Sequence, residues 1–253
     1  MRILCLGDSV MQYNDFSTYP QTGWIQELRR FFPLDVEFLN FARNGRSSKS
    51  FIAEGRFERV LKIVKPGDFA FIQFGHNDEK VEDLSRYTSP DENGEFRKNL
   101  SYFVSSFKEK GCFPILLTPV ARRRFRSEHI LENSHGLYPD AIKAVARQEN
   151  IPCIDVTALT TEFLEKIGEK ESVRFYMSIE PGEYAAYPAG KKDSSHLRPD
   201  GAFVVSSLVA ESLKKIQDSF PDYKKLSESV LKKSIWGQTS SDKEIDDEFL
   251  MWC

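Results

Sequence analysis

The chain has 253 residues, a formal net charge of -3, 40% hydrophobic residues and 13% aromatic residues. This apolar content is enough to fill the core of one domain, and it excludes an intrinsically disordered chain. The slightly negative charge argues against a nucleic-acid partner, and no apolar run approaches the roughly 18 to 20 residues that a membrane-spanning helix needs. We therefore expect a folded protein with neither nucleic acid nor a membrane as its partner; the sequence carries no signal for its oligomeric state.

Short apolar segments alternate with amphipathic segments along the chain. Because strands that alternate with helices form right-handed βαβ units, this order predicts an α/β fold, a three-layer α/β/α sandwich around a five-stranded parallel sheet. The predicted strands are residues 3–6, 36–39, 69–74, 115–117 and 151–156, and the predicted helices are residues 24–32, 51–64, 96–110, 138–149 and 199–216.

The chain is expected to form one domain over residues 1–235, followed by a polar, acidic tail over residues 236–253. Trp252 favours docking of this tail on the domain, since an exposed indole leaves apolar surface in water. The apolar start, residues 3–6, is shorter than the roughly 7 to 15 apolar residues of a signal-peptide core, so we expect a cytoplasmic location. The four cysteines have no metal-binding spacing and are expected to be reduced thiols: Cys5, Cys112, Cys153 and Cys253.

Polar motifs follow the first three predicted strands. Ser9 ends Gly7-Asp8-Ser9 after the first strand, Gly45 follows the second, and Asn77 follows the third in the motif of residues 75–78, Gly-His-Asn-Asp. Parallel sheets bind ligands beyond the carboxyl ends of their strands, where the strand order reverses. If the order is 2-1-3-4-5, the first and third strands are neighbours and Ser9 converges with Asn77.

A fourth motif, Asp193-Ser194-Ser195-His196, lies in the long loop before the last predicted helix. A serine hydroxyl becomes an effective nucleophile when an imidazole removes its proton and a carboxylate orients that imidazole. Ser9, His196 and Asp193 are therefore candidates for the catalytic residues of an acyl-transfer site. The candidate donors to the oxyanion are the backbone N–H groups of Ser9 and Gly45 and the side-chain amide of Asn77.

In this order the four motifs resemble the conserved blocks of the SGNH (GDSL-type) hydrolases, which are serine esterases on a flavodoxin-like fold. Residues 44–51, 72–78, 118–123 and 135–139 are similar to the rhamnogalacturonan acetylesterase branch, and the resemblance extends over residues 2–215. It implies the 2-1-3-4-5 sheet and removal of acetyl groups from plant cell-wall oligosaccharides, without metal or cofactor. It also implies that Ser9, Asp193 and His196 are catalytic and that Ser9, Gly45 and Asn77 form the oxyanion hole.

Four further residues are candidates for substrate binding. Asp8 is expected to orient the turn by hydrogen bonding, and His76 is expected to shape the site without transferring protons. Arg122 and Arg123 belong to a basic cluster, residues 122–126, after the fourth predicted strand. This cluster is either a solvated basic face or a site for galacturonate carboxylates, which guanidinium groups bind in a bidentate way.

Three other functions stay open. A lipid or thioester hydrolase of the same fold would need a wider apolar surface than these charged loops indicate. A metallophosphoesterase has superficially similar Gly-Asp and Gly-His-Asn-Asp motifs, but the Asp-x-His motif expected after its first strand is absent. A carbohydrate-binding protein without turnover would not need serine, histidine and aspartate together.

Overall fold

The computed structural model describes residues 1–232, in which five parallel strands form one sheet. Its strands are β1 (Arg2–Gly7), β2 (Glu37–Asn40), β3 (Phe69–Gln73), β4 (Phe113–Leu117) and β7 (Cys153–Ile154), in the order β2-β1-β3-β4-β7. A separate antiparallel hairpin consists of β5 (Phe125–Ser127) and β6 (Ile130–Leu131). The sheet has the 2-1-3-4-5 order of the sequence analysis, so the predicted fold class is confirmed.

The helices lie between and after the strands. A short 3-10 segment, Arg29–Phe31, continues the first helix. In the described residues the α-helices are α1 (Trp24–Leu28), α2 (Ser48–Ala53), α3 (Arg56–Leu61), α4 (Glu95–Glu109), α5 (Tyr138–Gln148), α6 (Val156–Glu171), α7 (Pro199–Lys215) and α8 (Lys224–Ser229).

Two helical regions differ from the sequence prediction. The helix expected over residues 51–64 is two helices, because Gly55 adopts a left-handed conformation with φ of 64° between α2 and α3. Helix α6 was not predicted, and its first residue was assigned to a strand. Its first turns contain Val156, Thr157 and Thr160, β-branched residues whose helix propensity is low. The Asp155 side chain caps this helix by accepting a hydrogen bond from the backbone N–H of Ala158 at 3.1 Å.

Two hydrophobic cores cover the two faces of the sheet. In β1, Ile3 and Cys5 face the core built with α1, α6 and α7, whereas Leu4 and Leu6 face the core built with α2 to α5. Because successive side chains of a strand point to opposite faces, a strand buried on both sides is apolar throughout. This explains why the central strands are short continuous apolar runs in the sequence.

Cys5 and Cys112 are buried free thiols and Cys153 is a half-buried one, as predicted. Cys253 and the predicted tail, residues 236–253, lie outside the described residues, so the expected docking of Trp252 stays a prediction. Within residues 1–232, no helix combines the length and apolarity that would be needed to cross a membrane.

A buried chain of hydrogen bonds ties α1 to the carboxyl ends of β3 and β4. The Trp24 indole N–H donates to Gln73 Oε1 at 2.8 Å, and Gln73 Nε2 donates to the Thr118 carbonyl at 2.8 Å. Both Gln73 and Thr118 have no exposed surface. Gln73 therefore satisfies two buried polar groups at the edge of the sheet where the strand-end motifs meet.

We expect Gln73→Leu to lower the free energy of unfolding by about 2 to 4 kcal/mol, because the Trp24 N–H and the Thr118 carbonyl would each lose a buried partner. Chemical denaturation measures the loss. Gln217→Leu is the matched control, since its amide is half-buried and bonds the Lys214 carbonyl at a longer 3.5 Å. Equal losses in the two variants would contradict the role given to Gln73.

Candidate active site

Ser9 lies in a tight turn at the carboxyl end of β1. Asp8 Oδ1 accepts a hydrogen bond from the backbone N–H of Val10 at 3.1 Å. The Asp8 carbonyl accepts from the backbone N–H groups of Met11 and Gln12 at 3.2 and 3.1 Å. Such side-chain and backbone bonds favour a turn over continuation of the strand. They hold the Ser9 hydroxyl at the edge of the sheet.

The three predicted catalytic residues form one hydrogen-bonded chain. His196 Nε2 lies 2.8 Å from Ser9 Oγ, and His196 Nδ1 lies 2.6 Å from Asp193 Oδ2. Asp193 Oδ1 accepts from the backbone N–H groups of Ser195 and His196 at 2.9 and 3.0 Å. This is the geometry in which an imidazole can take a proton from a hydroxyl while a carboxylate orients the ring.

Asp193 is held in its ionised form. Burial on its own would raise the pKa of Asp193, but the hydrogen bond and electrostatic attraction to His196, with the backbone N–H groups of His196 and Ser195, lower it well below its usual range. The carboxylate therefore stays charged at neutral pH. An ionised acceptor at Nδ1 keeps a proton on that nitrogen and leaves Nε2 of the neutral ring free to accept one.

Gly45 and Asn77 follow β2 and β3 at the same edge of the sheet. Gly45 has φ of 75°, a left-handed conformation that favours glycine. Asn77 is buried, and its Nδ2 donates to the Arg46 carbonyl, the residue after Gly45, at 3.1 Å. An amide nitrogen carries two N–H groups, so this bond joins the two loops and leaves one N–H for a ligand.

Asp78 is a buried carboxyl group for which the sequence predicts no role. Its Oδ1 accepts from the Ser48 N–H at 2.9 Å, the Ser48 hydroxyl at 2.5 Å and the Thr88 hydroxyl at 2.9 Å. Burial, together with the negative charge of Asp8, raises the pKa of Asp78 to about 7, although the bonds from Ser48 and Thr88 act to lower it. Asp78 thereby fastens the loop that carries Gly45 to the segment after β3.

His76 lies against Asp8, the residue before Ser9. His76 Nδ1 is 3.3 Å from Asp8 Oδ2, and the two residues are only 5% and 1% exposed. The His76 ring packs edge-on against His135, with 4.8 Å between the ring centroids. This burial fits the orienting and shaping roles expected of the pair, and it leaves little of either side chain for direct contact with a substrate.

The arginines of the basic cluster at residues 122–126 differ in burial. Arg122 is buried, where it forms an ion pair with Glu79 and donates from Nε to Ser195 Oγ at 3.0 Å. Glu79 also lies 3.1 Å from His135 Nδ1. Burial on its own would raise the pKa of Glu79, but His135 and Arg122 lower it, so the ion pair is retained. A buried guanidinium needs a negatively charged partner, and for Arg122 this partner is Glu79, which is distant in sequence.

The other arginines of the loop divide into two groups. Arg123 is half-buried and donates to the Glu169 carbonyl at 2.6 Å and to Ser172 Oγ at 3.0 Å. Arg124 and Arg126 are exposed. The solvated basic face therefore consists of these two residues, while Arg122 and Arg123 tie loops together. Within residues 1–232, no group of three or more His, Cys, Asp or Glu side chains is arranged to hold a metal ion.

The raised pKa of Asp78 predicts a pH-dependent stability. Between its ordinary value of 3.8 and about 7, the folded protein holds a proton that the unfolded chain has released, so Asp78 makes the protein less stable as pH rises through this window. Asp78→Asn cannot ionise. As pH rises from 3.8 to about 7, we expect the free energy of unfolding of wild type to fall by on the order of 1 to 4 kcal/mol relative to that of this variant. Urea denaturation at a series of pH values measures the difference. If the difference in unfolding free energy between wild type and Asp78→Asn is the same at every pH, the raised pKa of Asp78 is refuted.

Comparisons with known proteins identify the family of this chain. Residues 5–176 match the GDSL-like Lipase/Acylhydrolase family. Rhamnogalacturonan acetylesterase RhgT of Bacillus subtilis (strain 168) is 35% identical over 216 residues, which is 85% of this chain and 90% of that protein. A second protein of that organism, named probable rhamnogalacturonan acetylesterase YesY, is 34% identical over 230 residues, which is 91% of this chain and 97% of that protein.

Solved structures share the fold. The crystal structure of protein YXIM from Bacillus subtilis superposes with a TM-score of 0.71 at 27% identity, covering 85% of this chain and 56% of that one, so this chain spans about half of its length. Axe2, an acetylxylan esterase from Geobacillus stearothermophilus, superposes with a TM-score of 0.58 at 18% identity, covering 83% and 92% of the two chains. The chain thus belongs to the GDSL-like lipase/acylhydrolase family and is a carboxylic ester hydrolase.

Proposed function

We propose that this protein removes O-acetyl groups from an acetylated plant cell-wall oligosaccharide, with rhamnogalacturonan as the expected substrate. The observation that carries the reaction is the chain of 2.8 and 2.6 Å hydrogen bonds from Ser9 through His196 to Asp193. The choice of an acetylated saccharide is supported by the two relatives named rhamnogalacturonan acetylesterase, which match over most of their lengths.

In the proposed mechanism Ser9 Oγ attacks the acetyl carbonyl while His196 Nε2 takes the hydroxyl proton. The tetrahedral intermediate then collapses to acetyl-Ser9, and the sugar oxygen leaves with the proton that His196 returns. Water repeats the two steps on the acetyl-enzyme, which releases acetate and restores the Ser9 hydroxyl. Asp193 remains ionised throughout and stabilises the imidazolium that forms at each step.

Negative charge develops on the former carbonyl oxygen in each tetrahedral intermediate. The proposed donors to it are the backbone N–H groups of Ser9 and Gly45 and the free N–H of the Asn77 amide. Fixed donors of this kind need no reorganisation during the reaction, and each contributes about 3 to 4 kcal/mol. The bond from Asn77 to the Arg46 carbonyl supports this role, because it fixes the amide plane.

A partly exposed guanidinium beside the proposed oxyanion hole suits an acidic saccharide. A Cβ built on Gly45 would lie 3.7 Å from Arg86 Nη1, and the Arg86 side chain is 36% exposed and pairs with Asp83 at 3.0 Å. We therefore propose Arg86 as the group that attracts a galacturonate carboxylate. Arg122 is bonded to Glu79 and Ser195, and Arg123 to the Glu169 carbonyl and Ser172, so both of these arginines also hold loops together.

Ser9→Ala should lower kcat/KM for acetate release by on the order of 10⁴-fold or more, because it removes the hydroxyl that His196 would activate. Acetate release from acetylated pectin oligosaccharides, acetylated xylan and small acetyl esters measures this loss and the substrate preference together. Ser105→Ala, an exposed change on α4, is the control for folding and activity. If Ser9→Ala retains the wild-type rate, or if long acyl chains are preferred to acetyl, the proposed function fails.

Asn77→Ala should lower kcat by roughly 10² to 10³-fold and change KM little, because the oxyanion that its amide would meet exists only in the transition state. Steady-state kinetics on a small acetyl ester separates the two parameters. A rise in KM at constant kcat would instead assign Asn77 to binding of the ground state.

Arg86→Ala should raise KM for an acidic acetylated oligosaccharide and have little effect on a neutral acetyl ester. Added salt should reproduce this selective loss in wild type, because exposed charges are screened over about 8 Å at physiological ionic strength. Arg124→Ala removes an exposed guanidinium from another loop and is the matched control. Equal effects of the two variants, or equal effects on the two substrates, would remove Arg86 from substrate recognition.

A further inference from the structure

Lys191 places a positive charge on the catalytic carboxylate. Lys191 Nζ lies 3.1 Å from Asp193 Oδ2, the same oxygen that lies 2.6 Å from His196 Nδ1. The side chains of Lys191 and Asp193 are 28% and 15% exposed, so the pair is partly shielded from water. One carboxylate oxygen of Asp193 therefore interacts with both the Lys191 ammonium group and the His196 ring.

The position of Lys191 is fixed by contacts on both its backbone and its side chain. Its N–H and carbonyl pair with Ile179 in an antiparallel bridge, at 2.9 and 2.7 Å. Its ammonium group lies 5.3 Å from the centroid of the Tyr187 ring and 3.5 Å from Gln21 Oε1. Tyr187 is held in turn by a hydrogen bond from its hydroxyl to the Thr18 carbonyl at 3.0 Å. These contacts hold Lys191 in place beside the catalytic residues.

Asp193 does not need Lys191 to keep its orientation. Its other oxygen, Oδ1, accepts from the backbone N–H groups of Ser195 and His196, which fix the plane of the carboxylate. Removing the ammonium group would leave these bonds and the bond to His196 Nδ1 in place. What Lys191 adds to this carboxylate is a positive charge at Oδ2.

Other charged and titratable groups face the same site from neighbouring segments. Tyr187 is neutral, since burial and the charge of Asp193 raise its pKa. Asp8, the residue before Ser9, pairs with His76, and Arg122 donates to Ser195. A change at Lys191 leaves the contacts of Asp8, His76 and Arg122 in place and removes the contact of its ammonium group with the Tyr187 ring.

We propose that Lys191 extends the activity of the enzyme to lower pH by partly neutralising Asp193. A full negative charge on Asp193 would stabilise the imidazolium form of His196, which cannot accept the Ser9 proton. The ammonium group at the same carboxylate oxygen weakens this stabilisation and keeps His196 in its basic form at lower pH. The inference rests on the catalytic roles proposed for Ser9, His196 and Asp193.

The test is the pH profile of kcat/KM with a neutral acetyl ester, measured for wild type, Lys191→Met, Lys191→Arg and Lys192→Met. In Lys191→Met we expect the acid limb to move to higher pH by about 0.5 to 1 unit, a modest shift because the ion pair is partly exposed. Lys191→Arg keeps the charge and should restore the wild-type limb. Lys192→Met removes an exposed charge from the next residue and should leave the limb in place.

Three outcomes would overturn the inference. An acid limb at the same pH in Lys191→Met, with a uniform loss of rate, would make Lys191 a residue that only positions the loop. An equal shift in Lys192→Met would make the effect a general one of net charge. A wild-type profile without an acid limb would refute His196 as the base, and the inference with it. NMR titration of the His196 ring in Ser9→Ala protein, with and without Lys191→Met, should show the same shift without using activity.

Discussion

The hydrogen bond between Ser9 and His196 is the constraint on which the rest of the site depends, because it joins residues 187 positions apart in the chain. One end is fixed by the turn after β1. The other end is fixed where the Met177 N–H donates to the His196 carbonyl at 2.9 Å and the Thr22 N–H donates to the Leu197 carbonyl at 2.9 Å. The packing of α1 on α7 places these two segments side by side, so the tertiary fold is what brings nucleophile and base together.

The same edge of the sheet buries ionisable groups that an ordinary core would exclude. Asp78, Glu79 and Arg122 are each held by specific partners from other loops, and each would be costly to bury alone. Asp78 joins the loops after β2 and β3, while the Arg122–Glu79 pair joins the segment after β3 to Ser195, beside His196. These bonds hold the donors and the base in fixed positions before a substrate arrives, which is the condition for electrostatic stabilisation of a transition state.

The strands and the strand-end motifs were predictable because both have local signatures: apolar runs of the right length, followed by glycine and polar residues. Given the strand order, the approach of Ser9 to Asn77 follows from topology.

The burial of Arg122 was not predictable, because its partner Glu79 is distant in sequence and a cluster of arginines is usually solvated. Helix α6 was missed since its β-branched first turns resemble a strand. The sequence places Lys191 two residues before Asp193 and says nothing of a contact between their side chains. That contact depends on the bridge between Lys191 and Ile179, which are distant in sequence.

The central claim is that acyl transfer proceeds through a covalent intermediate on Ser9, and mass spectrometry of the enzyme quenched in acid during turnover of an activated acetyl ester tests it most directly. We expect one acetyl group per protein molecule, on the peptide that contains Ser9. His196→Ala protein treated in the same way should carry no acetyl group. Turnover without any acylated protein, or an acetyl group confined to a different residue, would contradict the mechanism.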